Sequence, residues 1–307
     1  MKSNNKETGI AVIGAGGIGN LRAHSCKQIT QVDYIAVCDI SDEKLEKVAE
    51  SVKADVATSN YSEAIENDRV GAVIISTDEE NHYDATMKAV SLGKSVLIEK
   101  PFVLDLQEAD NILLKAKETG AEVFVGYTQR FRRKFLLAKE AVRNGQLGDI
   151  VFSMGKIYVT RAVGEAVASR SPNTTPSINT GTYLVDLMLW YNEGKKPVEV
   201  YAKSASNVFK SYNRDDFQWM LVTYDDGSVS SLGTSWLQPR HWPAYTATME
   251  IDLQGTTGSL NIDDAHRDVV LVPGEPIPCP YTPQYNVDVA FLGSAMPGDF
   301  VMGEFFG

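Results

Sequence analysis

The sequence predicts an α/β chain in which a doubly wound parallel sheet is followed by an α+β domain with a mostly antiparallel open sheet. Three observations carry this expectation. Short apolar runs alternate with amphipathic stretches of helical spacing as far as Gly126. The first run passes directly into Gly14-Ala15-Gly16-Gly17-Ile18-Gly19, a G-x-G-x-x-G spacing between strand and helix. Beyond Gly126 the alternation gives way to β-rich segments separated by turn signals, so domains are expected over 1–126 and 127–307.

Ile10 to Ile13 has the continuous apolar character of a buried parallel strand. In the loop after it, Gly14 permits a tight turn, Gly16 lets a pyrophosphate approach the backbone, and Gly19 lets the next helix pack close. The N-terminus of that helix offers free N–H groups to an anion. A second strand, Tyr34 to Cys38, ends at Asp39, where a carboxylate accepts hydrogen bonds from ribose hydroxyls and repels a 2′-phosphate. This is a Rossmann arrangement, and it predicts NAD as cofactor, with NADP less favoured. Ser41 to Val52 reads as a crossover helix, Val70 to Ser76 as a strand, Asn81 to Leu92 as a helix closed by Gly93, and Ser95 to Glu99 as a strand. Leu104 to Thr119, closed by Gly120, and the strand Glu122 to Gly126 complete the first domain.

Arg130 to Asn144 predicts a basic connecting helix, and Ile150 to Thr160 the first strand of the second domain. Val163 to Asn179 lacks periodicity and reads as a long loop. Thr182 to Tyr191 predicts an apolar helix, and strands are expected over Val198 to Phe209, Phe217 to Tyr224 and Ser228 to Leu237. Asp225-Asp226-Gly227 between the last two is a hairpin signal. Ala247 to Leu253, Ser259 to Ile262 and Val269 to Val272 complete the sheet, and the Pro- and Gly-rich tail predicts no closing helix.

Length and composition narrow the function. A chain of 307 residues suits two domains, and 40 acidic against 29 basic residues, a net charge of −11, disfavours nucleic acid and anionic membranes as partners. No signal-like core or membrane-length apolar run is present, so a cytoplasmic location is expected. Cys26, Cys38 and Cys279 have neither zinc nor disulfide spacing, and no metal is expected.

Glu99-Lys100-Pro101 stands at the carboxyl end of a strand, the edge at which open α/β sheets bind ligands. Together with the glycine loop, Asp39, Leu92-Gly93-Lys94-Ser95-Val96-Leu97-Ile98 before it and Val125-Gly126-Tyr127-Thr128-Gln129-Arg130-Phe131 after it, this stretch resembles the Gfo/Idh/MocA family. The resemblance implies a two-domain oxidoreductase that moves hydride between a nicotinamide and a carbon bearing a sugar, cyclitol or related polyol hydroxyl. It gives Lys100 a catalytic or substrate-orienting role. It also implies a cofactor site formed by Gly14, Gly16, Gly17, Ile18, Gly19, Asp39, Ser76, Thr77, His82, Glu99 and Lys100.

The family's second signature places an aspartate and then a histidine on a helix. Thr180-Gly181 and Asp186 match it, but Trp190 stands where the histidine is expected. Asp186 and Trp190 are four residues apart and share a face; a buried Asp186 needs a partner, which substrate hydroxyls or Lys100 could supply. An indole exchanges no proton near neutral pH, so Trp190 suits stacking on a sugar or filling core space. Proton transfer then falls to Lys100, Asp186 or Tyr183, with Tyr191 rotated away; Arg130, Asp186 and Trp190 join Lys100 as candidate substrate contacts. A second expectation, carried by Trp190, is a cofactor-holding but catalytically idle member that senses a ligand or binds a protein partner.

Among the histidines, His82 either lines the cofactor cleft or caps a helix, His24 is expected at the surface or in packing, His241 on a surface turn or else reaching the substrate, and His266 at the surface. The run Arg130, Arg132, Arg133 and Lys134 is expected as a solvated helix face, with Arg130 alone a candidate ligand contact. A homodimer or homotetramer through the antiparallel sheet is expected, with Phe305 and Phe306 buried at a subunit contact.

Overall fold

The apolar runs of the first 126 residues become strands because each presents alternate side chains to two covered faces. In the computed structural model, which describes residues 8–239, 247–263, 269–272 and 290–291, they are β1 (Gly9–Ile13), β2 (Tyr34–Cys38), β3 (Val56–Thr58), β4 (Val70–Ile75), β5 (Ser95–Ile98) and β6 (Val123–Val125). All pair in parallel in the order β3-β2-β1-β4-β5-β6. On one face Ala11, Ile13, Val73, Ile75, Val96 and Ile98 pack against α3 (Tyr61–Glu66), α4 (His82–Ser91) and α5 (Leu106–Thr119). On the other, Val12, Ile35, Val37 and Ile74 meet α1 (Gly17–Gln28) and α2 (Asp42–Val52). The sheet is thus a parallel, doubly wound one, and the chain divides into units Met1–Gly126 and Tyr127–Gly307.

The second unit opens on a short 3₁₀ turn, Thr128–Phe131, and then α6 (Arg133–Arg143). Its sheet comprises β7 (Ile150–Thr160), β8 (Pro197–Ala205), β9 (Phe217–Tyr224), β10 (Val229–Gln238), β11 (Ala247–Gly255), β12 (Ser259–Asp263), β13 (Val269–Val272) and β14 (Ala290–Phe291). The order is β14-β13-β12-β11-β7-β10-β9-β8, antiparallel except where β10 runs parallel to β7. One face is covered by α6 and α8 (Thr182–Tyr191), through Phe135, Leu184, Leu187 and Met188 against Ile157, Leu232, Met249 and Ile251.

Several expectations need correction. Val163 to Asn179 is not a loop: α7 (Arg161–Arg170) and a π-helical turn, Ser177–Gly181, occupy most of it. Two small residues hide the pattern, since Gly164 lets α7 approach so closely that a Cβ there would lie 2.7 Å from Trp236, and Val167 completes the small cluster with Phe209 and Trp236. β3 and α3 are only 3 and 6 residues long, too short to show a period in the sequence. The basic run is not a solvated face: Arg130 lies in the 3₁₀ turn before α6, and Lys134 is buried within the helix. The expected strand to Phe209 ends at Ala205, because the Asp216 carboxylate draws the backbone N–H groups of Asn207, Val208 and Phe209 into a turn. Cys26 and Cys38 are buried free thiols. His241, His266, Cys279, Phe305 and Phe306 lie outside the described residues.

Candidate active site

In the first unit the site grows from the carboxyl edge of the parallel sheet. Backbone bonds continue past the strands there: Ser76 N–H donates to Ile13 O at 2.7 Å, Glu99 N–H to Ile75 O at 2.9 Å, and Gly126 N–H to Ile98 O at 2.8 Å. These fix three loops side by side. Gly14 has φ +94°, and a Cβ on Gly19 would lie 1.7 Å from the Gly14 carbonyl oxygen, so the turn and the close approach of α1 both demand glycine. Gly16 and Gly17 differ, since a Cβ on either would meet nothing within 4 Å. They line open space at the N-terminus of α1, which no side chain caps and whose first turn carries no acid. Ile18 stands beside them, half exposed.

Asp39 faces this loop. Its Oδ2 accepts from Ala15 N–H at 2.7 Å and its Oδ1 from Ser41 N–H at 2.8 Å, so the carboxylate ties the end of β2 to the glycine turn and keeps further lone pairs. The buried hydroxyls of Ser76 and Thr77 have no hydrogen-bond partner among the described residues. An open glycine cradle, an uncapped helix N-terminus, a carboxylate at the end of β2 and two orphan hydroxyls fit a dinucleotide.

His82 is 1% exposed. Its Nδ1 lies 2.9 Å from the Pro101 carbonyl oxygen and its Nε2 3.2 Å from that of Thr77, so it braces one loop against another. The Lys100–Pro101 bond is cis. On the other side of Lys100, Arg22 of α1 donates from Nε at 2.8 Å and from Nη2 at 2.6 Å to Glu99 Oε1. Arg22 went unnoticed in the sequence, although a carboxylate at the end of a buried strand demands a cation.

In the second unit, Arg130 donates from Nε to Asp186 Oδ2 at 2.8 Å and from Nη2 to Oδ1 at 2.7 Å. This answers where Asp186 finds its partner: the ion pair comes from Arg130. The Asp186 side chain is 8% exposed against 38% for Arg130, so the fork reaches inward from a more open position. Burial pushes the Asp186 carboxyl above its usual range, and Arg130 opposes that rise. The Arg130 guanidinium carbon also lies 5.4 Å from the Trp190 ring centroid, and Lys139 Nζ lies 5.5 Å from it. Lys139, itself buried, donates to the Trp190 carbonyl and, at 2.8 Å, to Glu193 Oε2. Trp190 is therefore packed among cations, with Tyr191 stacked at 5.6 Å.

Tyr183 meets Tyr127 edge to face at 6.2 Å. Burial raises the Tyr127 phenol, and the Asp186 carboxylate adds to the rise. Tyr191, buried with its hydroxyl donating to the Phe135 carbonyl at 3.3 Å, is occupied elsewhere. Neither Tyr127 nor Lys139 has a local signal that assigns it to the site: the first stands in a turn within the family-like stretch, the second among surface-like charges.

Comparison with known proteins decides the family. Residues 8–127 match the description "Oxidoreductase family, NAD-binding Rossmann fold", and residues 135–261 the description "GFO/IDH/MocA C-terminal domain". The chain belongs to the Gfo/Idh/MocA oxidoreductase family. Its first unit is accordingly an NAD-binding Rossmann fold. A Bacillus subtilis protein named scyllo-inositol 2-dehydrogenase (NAD(+)) is 30% identical over 272 residues, covering 85% of this chain and 75% of the relative. A Thermotoga maritima myo-inositol 2-dehydrogenase is 25% identical over 279 residues, covering 87% and 78% respectively. Among solved structures, scyllo-inositol dehydrogenase from Lactobacillus casei with bound NAD(H) and scyllo-inositol has a TM-score of 0.76 at 19% identity, over 84% of this chain and 76% of that one. That likeness concerns the fold.

Proposed function

We propose that the protein is an NAD-dependent dehydrogenase that oxidises one secondary hydroxyl of a cyclitol or related polyhydroxylated ring, and reduces the corresponding ketone in reverse. The observation that supports this most is the joint presence of an intact glycine cradle with Asp39 and a Glu99-Lys100-Pro101 turn held on both sides, in a relative of inositol dehydrogenases. NAD, when bound, supplies the hydride acceptor. Gly14, Gly16, Gly17, Ile18 and Gly19 would hold its pyrophosphate, Asp39 its adenosine ribose, and Ser76 and Thr77 its nicotinamide half, with His82 and Glu99 supporting the loops around it. The Asp39 carboxylate would repel a 2′-phosphate, which favours NAD over NADP.

In this reading Lys100 hydrogen-bonds the reacting hydroxyl and receives its proton as hydride leaves the carbon. Asp186 and Arg130 offer an acceptor and donors to neighbouring ring hydroxyls, and the Trp190 indole, expected from the sequence to stack on a sugar, instead backs the Arg130 guanidinium. Trp190 moves no proton; Tyr183 is the candidate to relay one. A cofactor-holding sensor would keep the same binding groups without turnover. The experiment is nicotinamide absorbance with NAD and a panel of inositols and sugars. Turnover of at least one cyclitol supports the enzyme, whereas ligand-dependent binding with no absorbance change overturns it in favour of the sensor.

The face of the second sheet that no helix among the described residues covers supports self-association. Phe152 and Leu221 are 39% and 41% exposed there, and Tyr158, Phe217, Trp219 and Leu237 line a cavity of about 370 Å³. A homodimer or homotetramer through this face should dissociate in Trp219→Arg, as read by light scattering; an unchanged mass places the contact elsewhere.

A further inference from the structure

We propose that Arg22 is a positioning residue for Lys100, a role that rests on the reading of Lys100 given above. Both hydrogen bonds from the Arg22 guanidinium, at 2.8 and 2.6 Å, end on one oxygen, Glu99 Oε1. The other oxygen lies close against Gly126, where a Cβ would stand 2.9 Å from Oε2. The pair is largely dry, with side-chain exposures of 21% for Arg22 and 12% for Glu99. These contacts hold Glu99 in place next to the backbone that carries Lys100. The far side of the turn is fixed as well, by His82 against the Pro101 and Phe102 carbonyl oxygens at 2.9 and 3.3 Å.

The position of Arg22 along the chain gives the clamp its consequence. Arg22 lies on α1, the helix whose N-terminus is the glycine cradle and whose Gly19 touches Gly14. The helix that receives the dinucleotide and the turn that presents Lys100 are thereby tied by a charged fork in addition to the apolar packing of α1 on the sheet. A misplacement of the lysine by a fraction of an ångström is expensive in rate and nearly silent in cofactor binding.

Removing one member of a buried ion pair destabilises a fold, whereas replacing both by apolar groups is often neutral. That asymmetry separates positioning from plain structural support. Arg22→Met should lower kcat on the best cyclitol at least about tenfold while the NAD Kd changes less than about threefold. In the double variant Arg22→Leu with Glu99→Met, Tm should recover toward wild type while kcat stays at least about tenfold down. Arg22→Lys, which keeps the charge but not the two-pronged grip, should lose about threefold or more in kcat at a nearly unchanged Tm. Recovery of kcat together with Tm in the double variant, or full kcat in Arg22→Lys, overturns the proposal.

A second readout needs no turnover. The rate at which trace acetic anhydride labels Lys100, normalised to exposed Lys27 in the same digest, should change at least about threefold in the double variant. An unchanged rate overturns the positioning role. Absence of any wild-type turnover instead overturns the proposed function, and the labelling result still reports on the clamp.

Discussion

Arg130 grips Asp186 by two parallel hydrogen bonds, Nε to Oδ2 at 2.8 Å and Nη2 to Oδ1 at 2.7 Å, while its guanidinium carbon lies 5.4 Å from the Trp190 ring centroid. The position that carries histidine in the family motif is thus used here to pack against the cation that holds the aspartate. An indole suits that task, because its ring face attracts a guanidinium.

The first prediction follows from the balance at Asp186, where burial raises the carboxyl and Arg130 opposes the rise. In Arg130→Met the rise should grow. A folded pKa above the unfolded one means that the associated stability is present below the unfolded pKa and lost as pH climbs through the folded value. The variant should therefore be less stable than wild type by about 3 kcal/mol near neutral pH, with the gap narrowing toward about pH 4. Thermal melts across that window check it, and a gap independent of pH contradicts it.

Asp216 presents the opposite sign. Burial would raise its carboxyl, but N–H donors from Phe209, Val208 and Asn207 outweigh burial and leave it lowered. Its contribution is present above the unfolded carboxylate range and lost as pH falls through the folded value. Asp216→Ala should cost about 3 kcal/mol at neutral pH, since it strands buried backbone donors. Urea titration measures this, and a loss below about 1 kcal/mol would show that water replaces the carboxylate.

The glycine loop offers a contrast between two single methyl groups. Gly19→Ala places a Cβ 1.7 Å from Gly14 O and should unfold or strongly destabilise the first unit. Gly16→Ala meets nothing within 4 Å and has φ −66°, so Tm should hold while NAD affinity falls about tenfold or more. Calorimetry on both variants tests this; intact NAD binding in Gly16→Ala means that the cradle is not where the pyrophosphate lies.

The first unit was legible because its signals are local. Gly14 to Gly19, Asp39 and the Glu99-Lys100-Pro101 turn each carry their meaning within a few residues, and buried parallel strands show as apolar runs. The second unit depends on distant partners. Nothing near Arg130 announces Asp186, 56 residues on, and nothing near Glu99 announces Arg22, 77 residues back. Helix α7 escaped notice because its buried side is a glycine and a valine against Trp236 and Phe209, too small a stripe to show a period.

Asp39 carries a prediction that its geometry sharpens. Because Oδ2 also accepts from Ala15 N–H at 2.7 Å, Asp39→Ala both frees the loop and removes the repulsion of a 2′-phosphate. The ratio of NAD to NADP affinity should fall about tenfold or more, with NAD binding itself weakened. A preserved ratio in paired titrations would assign cofactor choice to another residue.

Lys100 is proposed to handle the proton of a cyclitol hydroxyl. The most direct measurement compares wild type and Lys100→Met in nicotinamide absorbance assays on the best inositol, with NAD affinity measured in parallel. In Lys100→Met, kcat should fall at least about a hundredfold while the NAD Kd moves less than about threefold. Equal losses in both, or turnover that survives the substitution, would contradict it.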